Sequence, residues 1–238
     1  MHSTWSDGYA SIADYVEAAG ELGHQYIAIT DHSKGLKIAG GIDEAQLKRQ
    51  AREIDGLNKR QVKSGGPVVL KSIEMNISPD GKGDMEPDAL LSLDIVLGAF
   101  HSKLRYKDDQ TERYIKALEN PYVHVLAHPR GRIYNFRLGL SADWAKVFEA
   151  AVSLDKAVEV DAFPDRQDLD VSLLRIAAEK KVRISIGTDS HHPHQLPWIE
   201  LGLAAAVKAG VKKEAILNLI DIEQLRDWTS SLKERGRK

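Results

Sequence analysis

The chain has 238 residues, 42% of them hydrophobic and 29% charged, enough for one large core or two small ones. Its 33 Lys and Arg against 35 Asp and Glu give a formal charge of −2, which excludes a general electrostatic attraction to nucleic acid or anionic membrane and makes any phosphate-binding surface local. The absence of cysteine excludes disulfides, thiolate metal sites and thiol catalysis. A mean hydropathy of −0.34, no apolar run near the roughly 18 residues of a membrane span and no basic-then-apolar leader give the expectation of a cytoplasmic protein.

In chain order, short β-branched apolar runs recur at 26–30, 68–74, 95–100, 123–127, 157–160 and 183–188. Their nearly continuous apolar character suits strands buried on both faces of a parallel sheet. Helix-period segments lie between them. Ser11-Ile-Ala-Asp14 sets an acceptor at an N-cap with an acid three residues on, and Asp43 caps a long helix to Ser64 that Gly65-Gly66-Pro67 stops. Asp109-Gln-Thr-Glu112 and Ser141 are expected to start two more helices. Residues 196–235 read as two or three further helices, and the basic tail 233–238 as a solvated end. With no repeat or linker, residues 1–238 read as a single α/β domain.

The residues at the end of each run carry the chemistry. Thr30 leads into Asp31-His32, Ile73 into Glu74, Phe100 into His101, Ala127 into His128, Val160 into Asp161 and Thr188 into Asp189-Ser-His191. In a parallel α/β barrel the C-terminal strand ends converge on one mouth, where sites are built. A lone His at a strand end is more often a loop residue than a ligand, and Glu74 alone or Asp31 alone reads as a capping carboxylate. Six successive strand ends bearing imidazoles and carboxylates are a different matter. His24, just before a strand, reads as structural; His124, inside one, as packed; His192 and His194 extend the Asp189 loop. Imidazoles and carboxylates without thiolates suit Zn²⁺, Mn²⁺ or Fe²⁺, and the ligands outnumber those of a single tetrahedral ion, so two or three ions are expected. Such a cluster activates a hydroxide and stabilises both oxygens of a phosphoryl displacement, with no side chain as nucleophile.

Cations near the same strand ends favour an anionic substrate: Lys34 after His32, Lys103 and Arg105 after His101, Arg130 and Arg132 after His128, and Arg166 after Asp161. Lys34, Arg130, Arg132 and Arg166 are the expected substrate contacts, since guanidinium forks match phosphate oxygens. Tyr134 and Phe136 either stack a base beside them or pack under the loop. No Gly-x-Ser-x-Gly elbow, dinucleotide fingerprint or Walker loop is present.

His2-Ser-Thr-Trp-Ser-Asp7-Gly8, Ile29-Thr-Asp-His-Ser33, the Glu74 segment, His101-Ser102, Ala127-His-Pro129 and Gly187-Thr-Asp-Ser-His191 resemble, in order, the motifs of the PHP (polymerase and histidinol phosphatase) superfamily. Asp31-His-Ser-Lys-Gly-Leu-Lys37, Ala117-Leu-Glu-Asn-Pro-Tyr122 and Phe163-Pro-Asp-Arg-Gln-Asp-Leu169 look most like the PHP domain at the C-terminus of bacterial family X DNA polymerases. The resemblance covers nearly the whole chain. It implies a distorted (β/α)7 TIM-like barrel with a trinuclear site: His2, Glu74 and Asp189 on one ion, Glu74 bridging to a second on His101 and His128, and Asp7, His32 and His191 on a third. The family's first strand ends in His-x-His, and Met1 stands at the middle position, so the first strand is apparently missing from this start. A longer reading frame is expected, because a lost strand would leave buried backbone that no other segment visibly repairs. Asp161 also departs from the Asn of the polymerase-linked members.

The expected function is a metal-dependent phosphoesterase acting on phosphate-ester substrates. It is exonuclease-like in the 3′–5′ direction on single-stranded DNA ends, with a small-molecule phosphomonoesterase or a catalytically degenerate metal-binding module as alternatives.

Overall fold

The computed structural model describes residues 1–236; Arg237 and Lys238 of the basic tail lie outside the described residues. Six strands form one wholly parallel sheet in sequence order: β1 (Tyr26–Ile29), β2 (Val68–Asn76), β3 (Ile95–Ala99), β4 (Val125–Leu126), β5 (Ala157–Asp161) and β6 (Arg183–Gly187). Helices α1 (Ile12–Glu21), α2 (Glu44–Ser64), α3 (Pro87–Leu91), α4 (Thr111–Glu119), α5 (Trp144–Ser153), α6 (Val171–Lys180), α7 (Ile199–Ala209) and α8 (Ile222–Gly236) complete the chain.

Local chemistry accounts for most boundaries. The Ser11–Asp14 capping box opens α1, the Asp43 side chain accepts from Gln46 N to open α2, and Gly65 ends α2 in the left-handed region. Two expected starts move. Asp109 spends its carboxylate on Thr111 N and Oγ1 without forming a box, so α4 begins at Thr111. Asp143 rather than Ser141 caps α5, accepting from Lys146 N.

The central strands β3 and β5 are buried at every position, as near-continuous apolar runs require. The flanking strands β1 and β6 instead alternate, a correction to the expectation of burial on both faces. The reason is that β1 and β6 are the sheet's edges and do not pair with each other. A cavity of about 720 Å³ lies between them, lined among others by Tyr26, Ala28, Leu70, Leu97 and Ser185.

The sheet curls, because the first two residues bridge its edges: Met1 O accepts from Thr30 N at 2.8 Å and His2 N donates to Ser190 O at 2.8 Å. At the other end of the strands, α8 packs Leu225, Trp228 and Leu232 against Ile95, Val125 and Ala157. The open edge of β6 is partly repaired, contrary to the sequence expectation. Ile216 bridges Ile184, and the Asn218 carboxamide accepts from Ile186 N at 2.7 Å and donates to Ile186 O at 2.9 Å, taking the place of a neighbouring strand. Among the described residues no helix is long and apolar enough to cross a membrane.

Candidate metal centre

Every strand delivers an ionisable side chain near or beyond its C-terminal end, and curling of the sheet turns six separate ends into one site. Glu74, near the C-terminal end of β2, lies at the middle. Its Oε1 is 2.9 Å from His101 Nε2, 2.8 Å from His128 Nε2 and 3.9 Å from His32 Nδ1. Its Oε2 is 3.4 Å from His2 Nε2, which also lies 2.9 Å from Asp189 Oδ1. Asp7 faces the same imidazoles from the other side, 3.8 Å from His2 Nδ1, 3.6 Å from His32 Nε2 and 3.5 Å from His191 Nε2. The rings of His2 and His32 stack at 4.3 Å, and those of His2 and His191 at 4.5 Å. All eight expected ligand residues are therefore brought together.

Three sets within this cluster are compact enough to hold an ion: His2, Asp7, His32 and His191; His32, Glu74 and His101; His2, Glu74 and Asp189. The donors fit such ions. His2 Nδ1 and His32 Nδ1, which face Asp7 and Glu74, are buried without a hydrogen-bond partner, as buried polar atoms seldom are, while His128 reaches Glu74 through Nε2 but lies outside the three sets. Without a cation, protons do the balancing. Burial opposes charge on His2, yet hydrogen bonds to Asp189 and Glu74 outweigh it and raise the ring to about 9. Burial likewise opposes charge on His128, and Glu74 overcomes it, to about 10. Burial dominates at His32, which falls to about 4. For Glu74, burial is outweighed by His128, His32 and His101, which hold the carboxyl well below its usual range.

Supporting contacts fix ring orientation. Asn76 Oδ1 lies 3.2 Å from His101 Nδ1, and Asp189 O accepts from His191 Nδ1 at 2.8 Å, leaving both Nε2 atoms toward the cluster. His128 and Asp189 adopt φ of 23° and 46°, a strained region for residues other than glycine. Glu159 holds the first of these by accepting from His128 N at 2.7 Å. A Cβ at Gly187 would run into the Glu159 carboxylate and displace it from its place beside His128 N. Asp31, read from sequence as a possible cap, is instead the buried anchor of the first loop. It accepts from Ser3 N at 2.7 Å, Ser6 Oγ at 2.6 Å and Gln50 Nε2 at 2.6 Å, and so sets His2 and Asp7 in place. Neither Glu159 nor Asp31 was distinguishable as a supporting residue in sequence, since one alternates within a strand and the other adjoins a His.

The expected substrate cations divide. Arg166 reaches the cluster, with Nη2 at 3.0 Å from Asp189 Oδ2 and Nε at 3.7 Å from Asp161 Oδ2. Burial and the Asp189 charge push Asp161 well above the usual carboxylate range. Arg130 and Arg132 are engaged elsewhere: both reach Asp170 Oδ2, at 2.9 and 3.5 Å, and Arg132 also donates to Arg166 O and Gln167 O. Lys34 pairs with Glu44 at 2.7 Å. Of the remaining histidines, His24 is half-buried before β1. His124 is buried with Nδ1 accepting from Val96 N at 3.0 Å, and His192 and His194 contact each other at the surface.

No protein-family model matches the chain. It is 39% identical over 227 residues to the DNA polymerase/3′-5′ exonuclease PolX of Bacillus subtilis, covering 94% of this chain but only 39% of that protein, about two fifths of its length. It is 27% identical over 238 residues to a protein described as a probable phosphatase in Thermoanaerobacter sp., covering 97% of this chain and 91% of the relative. Among solved structures, histidinol phosphate phosphatase from Lactococcus lactis, crystallised with zinc, L-histidinol and phosphate, superposes with a TM-score of 0.65 at 16% identity, over 89% of this chain and 92% of that one. Similarity over nearly the whole chain both to a segment of a DNA polymerase/3′-5′ exonuclease and to proteins of its own size described as phosphatases, with a fold like that of histidinol phosphate phosphatase, bears out the resemblance to the PHP (polymerase and histidinol phosphatase) superfamily.

Proposed function

We propose that the protein is a metal-dependent phosphoesterase that hydrolyses phosphate esters, with the 3′ ends of single-stranded DNA as the favoured substrate. The carrying observation is the convergence of four imidazoles on the shared Glu74 carboxylate, two of them, His2 and His32, with a buried Nδ1 that faces a cluster carboxylate without a hydrogen bond. We assign His2, Asp7, His32, Glu74, His101, His128, Asp189 and His191 to two or three divalent ions of zinc, manganese or iron. When bound, these ions supply Lewis acidity and a hydroxide nucleophile at neutral pH.

The chain's own residues do the rest. Glu74 spans the cluster and fixes its spacing. Asp7 and His191, the least buried of the eight, form the side open to an entering ester. Arg166 is the cation aimed at the site, and a phosphate oxygen would draw it from Asp189. We assign Arg130 and Arg132 to bracing the adjoining loop. A seventh strand in the seam between β1 and β6, where one chain segment already bridges both edges, would complete the barrel that the resemblance implies.

The likeness to PolX supports the DNA reading, and that to probable phosphatases of matching length supports the alternative of a small phosphate monoester. Digestion of a 5′-labelled single-stranded oligonucleotide with Mn²⁺, against a chelator-treated blank, separates them. A metal-dependent descending ladder supports the exonuclease. An intact strand with metal-dependent release of phosphate from small monoesters supports the phosphatase. Loss of neither substrate with any divalent metal contradicts both and leaves a non-catalytic metal-binding module.

A further inference from the structure

Beside the metal centre stands a small aromatic tip that the chemistry above does not use. Residues 133–137 form a tight antiparallel hairpin, with Ile133 N donating to Arg137 O at 2.9 Å and Arg137 N to Ile133 O at 2.8 Å. Asn135 at its turn takes a φ of 58°, the left-handed geometry that such short loops need. Tyr134 and Phe136 flank that turn and are 50% and 62% exposed, so the sequence alternative of packing under the loop is not the one adopted. Each ring has a guanidinium on it: Arg132 lies 4.6 Å from the Tyr134 centroid and Arg105 lies 4.5 Å from that of Phe136. The hairpin is tied to the site through one short path. Tyr134 N donates to Asp165 O at 2.7 Å, and the next residue, Arg166, pairs with Asp189 inside the cluster.

Tyr134, Phe136 and Leu138 are all exposed within five residues, a local concentration of apolar surface of the kind that marks interaction sites. Flat π-faces backed by guanidinium groups, with Lys103 and Arg105 on the neighbouring loop, combine stacking with positive charge. That combination matches a polymer of planar bases on a phosphate backbone, and favours it over an apolar peptide, which has no use for the cations. We propose that Tyr134 and Phe136 are a base-stacking platform that receives the unpaired nucleobases of a single strand while its end enters the metal centre. The inference rests on the DNA-end reading above and names specificity-determining residues for it. Stacking tolerates any base, so the platform selects single strands without selecting sequence.

The test is binding of a short 5′-fluorescein phosphorothioate oligothymidylate, which resists cleavage, measured by fluorescence anisotropy with Mn²⁺ present. An abasic strand of equal length carries the same charge without bases. The wild type should bind the thymidylate strand at least about tenfold more tightly than the abasic one. Tyr134→Leu and Phe136→Leu, which keep the apolar character, should each weaken thymidylate binding about tenfold and leave abasic binding unchanged. Tyr134→Trp and Phe136→Trp should preserve it. Equal affinity for the two strands, or full affinity in both leucine variants, would overturn the platform. Hydrolysis of the unmodified 5′-labelled oligonucleotide or of p-nitrophenyl phosphate by the wild type with Mn²⁺ reports separately on the phosphoesterase reading. Its absence together with base-dependent binding would sink that reading and leave the platform standing, and its presence with base-independent binding would do the reverse.

Discussion

At the residue scale, the account turns on Glu74, which approaches His2, His32, His101 and His128 with one carboxylate. A carboxamide keeps its shape but carries no charge. Glu74→Gln should therefore lower hydrolysis by more than the roughly 10–100-fold typical of losing an outer partner of a metal ligand. His128→Ala should abolish it with the far-ultraviolet circular dichroism unchanged; retained activity would remove His128 from the site. Glu159 acts through His128, whose strained backbone it holds, so Glu159→Ala should cost about 10–100-fold in rate and weaken metal affinity in parallel. A rate loss with unaltered metal affinity would contradict that positioning role. All eight ligand candidates were legible because they lie at or just beyond the ends of β-branched runs or sit in the first motif. Glu159 and Asp31 were not legible as supports, since their importance lies in contacts across 31 and 28 residues of sequence.

At the element scale, Asp170 couples two structures. Its Oδ1 accepts from Ser172 N and Leu173 N at the start of α6, while its Oδ2 receives Arg130 and Arg132 from the loop that carries the aromatic hairpin. Asp170→Ala removes both, and should destabilise the protein by about 1–2 kcal/mol in urea unfolding. A variant as stable as the wild type would show that the cap and the two arginine contacts contribute nothing there. His124, within the stretch that leads into β4, is held neutral: burial, then the nearby Lys156, push it down to about 3.

The depressed value sets the sign of its pH dependence. The unfolded chain takes up the proton near its ordinary value of 6.5 and the folded protein does not, so the His124 contribution is full above 6.5 and is lost as pH falls toward about 3. Between pH 7 and pH 4.5 the wild type should lose more stability than His124→Asn, and equal losses would contradict the assignment. Sequence marked this histidine as packed but named no partner. The shifted starts of α4 and α5 have a similar cause, because which of several nearby oxygens caps a helix depends on the path by which the chain enters it.

At the scale of the whole molecule, a curled parallel sheet of six strands gathers its charges at one end and closes the other with α8. The alternation of sheet and helix was visible in the sequence, and so was the mouth at which the ligands meet. The repair of the open edge was not. Nothing in the run of residues 216–220 marks Asn218 as a surrogate strand, because a carboxamide meets the donor and acceptor of Ile186 only after the chain has returned from α7. Asn218→Ala would leave both groups of Ile186 unpaired at a half-buried edge and should cost about 1–3 kcal/mol, read as a lower unfolding midpoint. Asn218→Asp keeps the acceptor for Ile186 N and loses the donor to Ile186 O, so the pair of variants separates the two bonds.

The central claim, that the strand ends form a polynuclear metal centre, is tested most directly by the metal content of the dialysed protein after loading with Mn²⁺ or Zn²⁺. The wild type should retain two or three ions per chain, and Glu74→Gln should retain fewer, since its carboxylate serves more than one set of donors. A wild type that retains no ion, or a Glu74→Gln variant that retains as many as the wild type, would contradict the account.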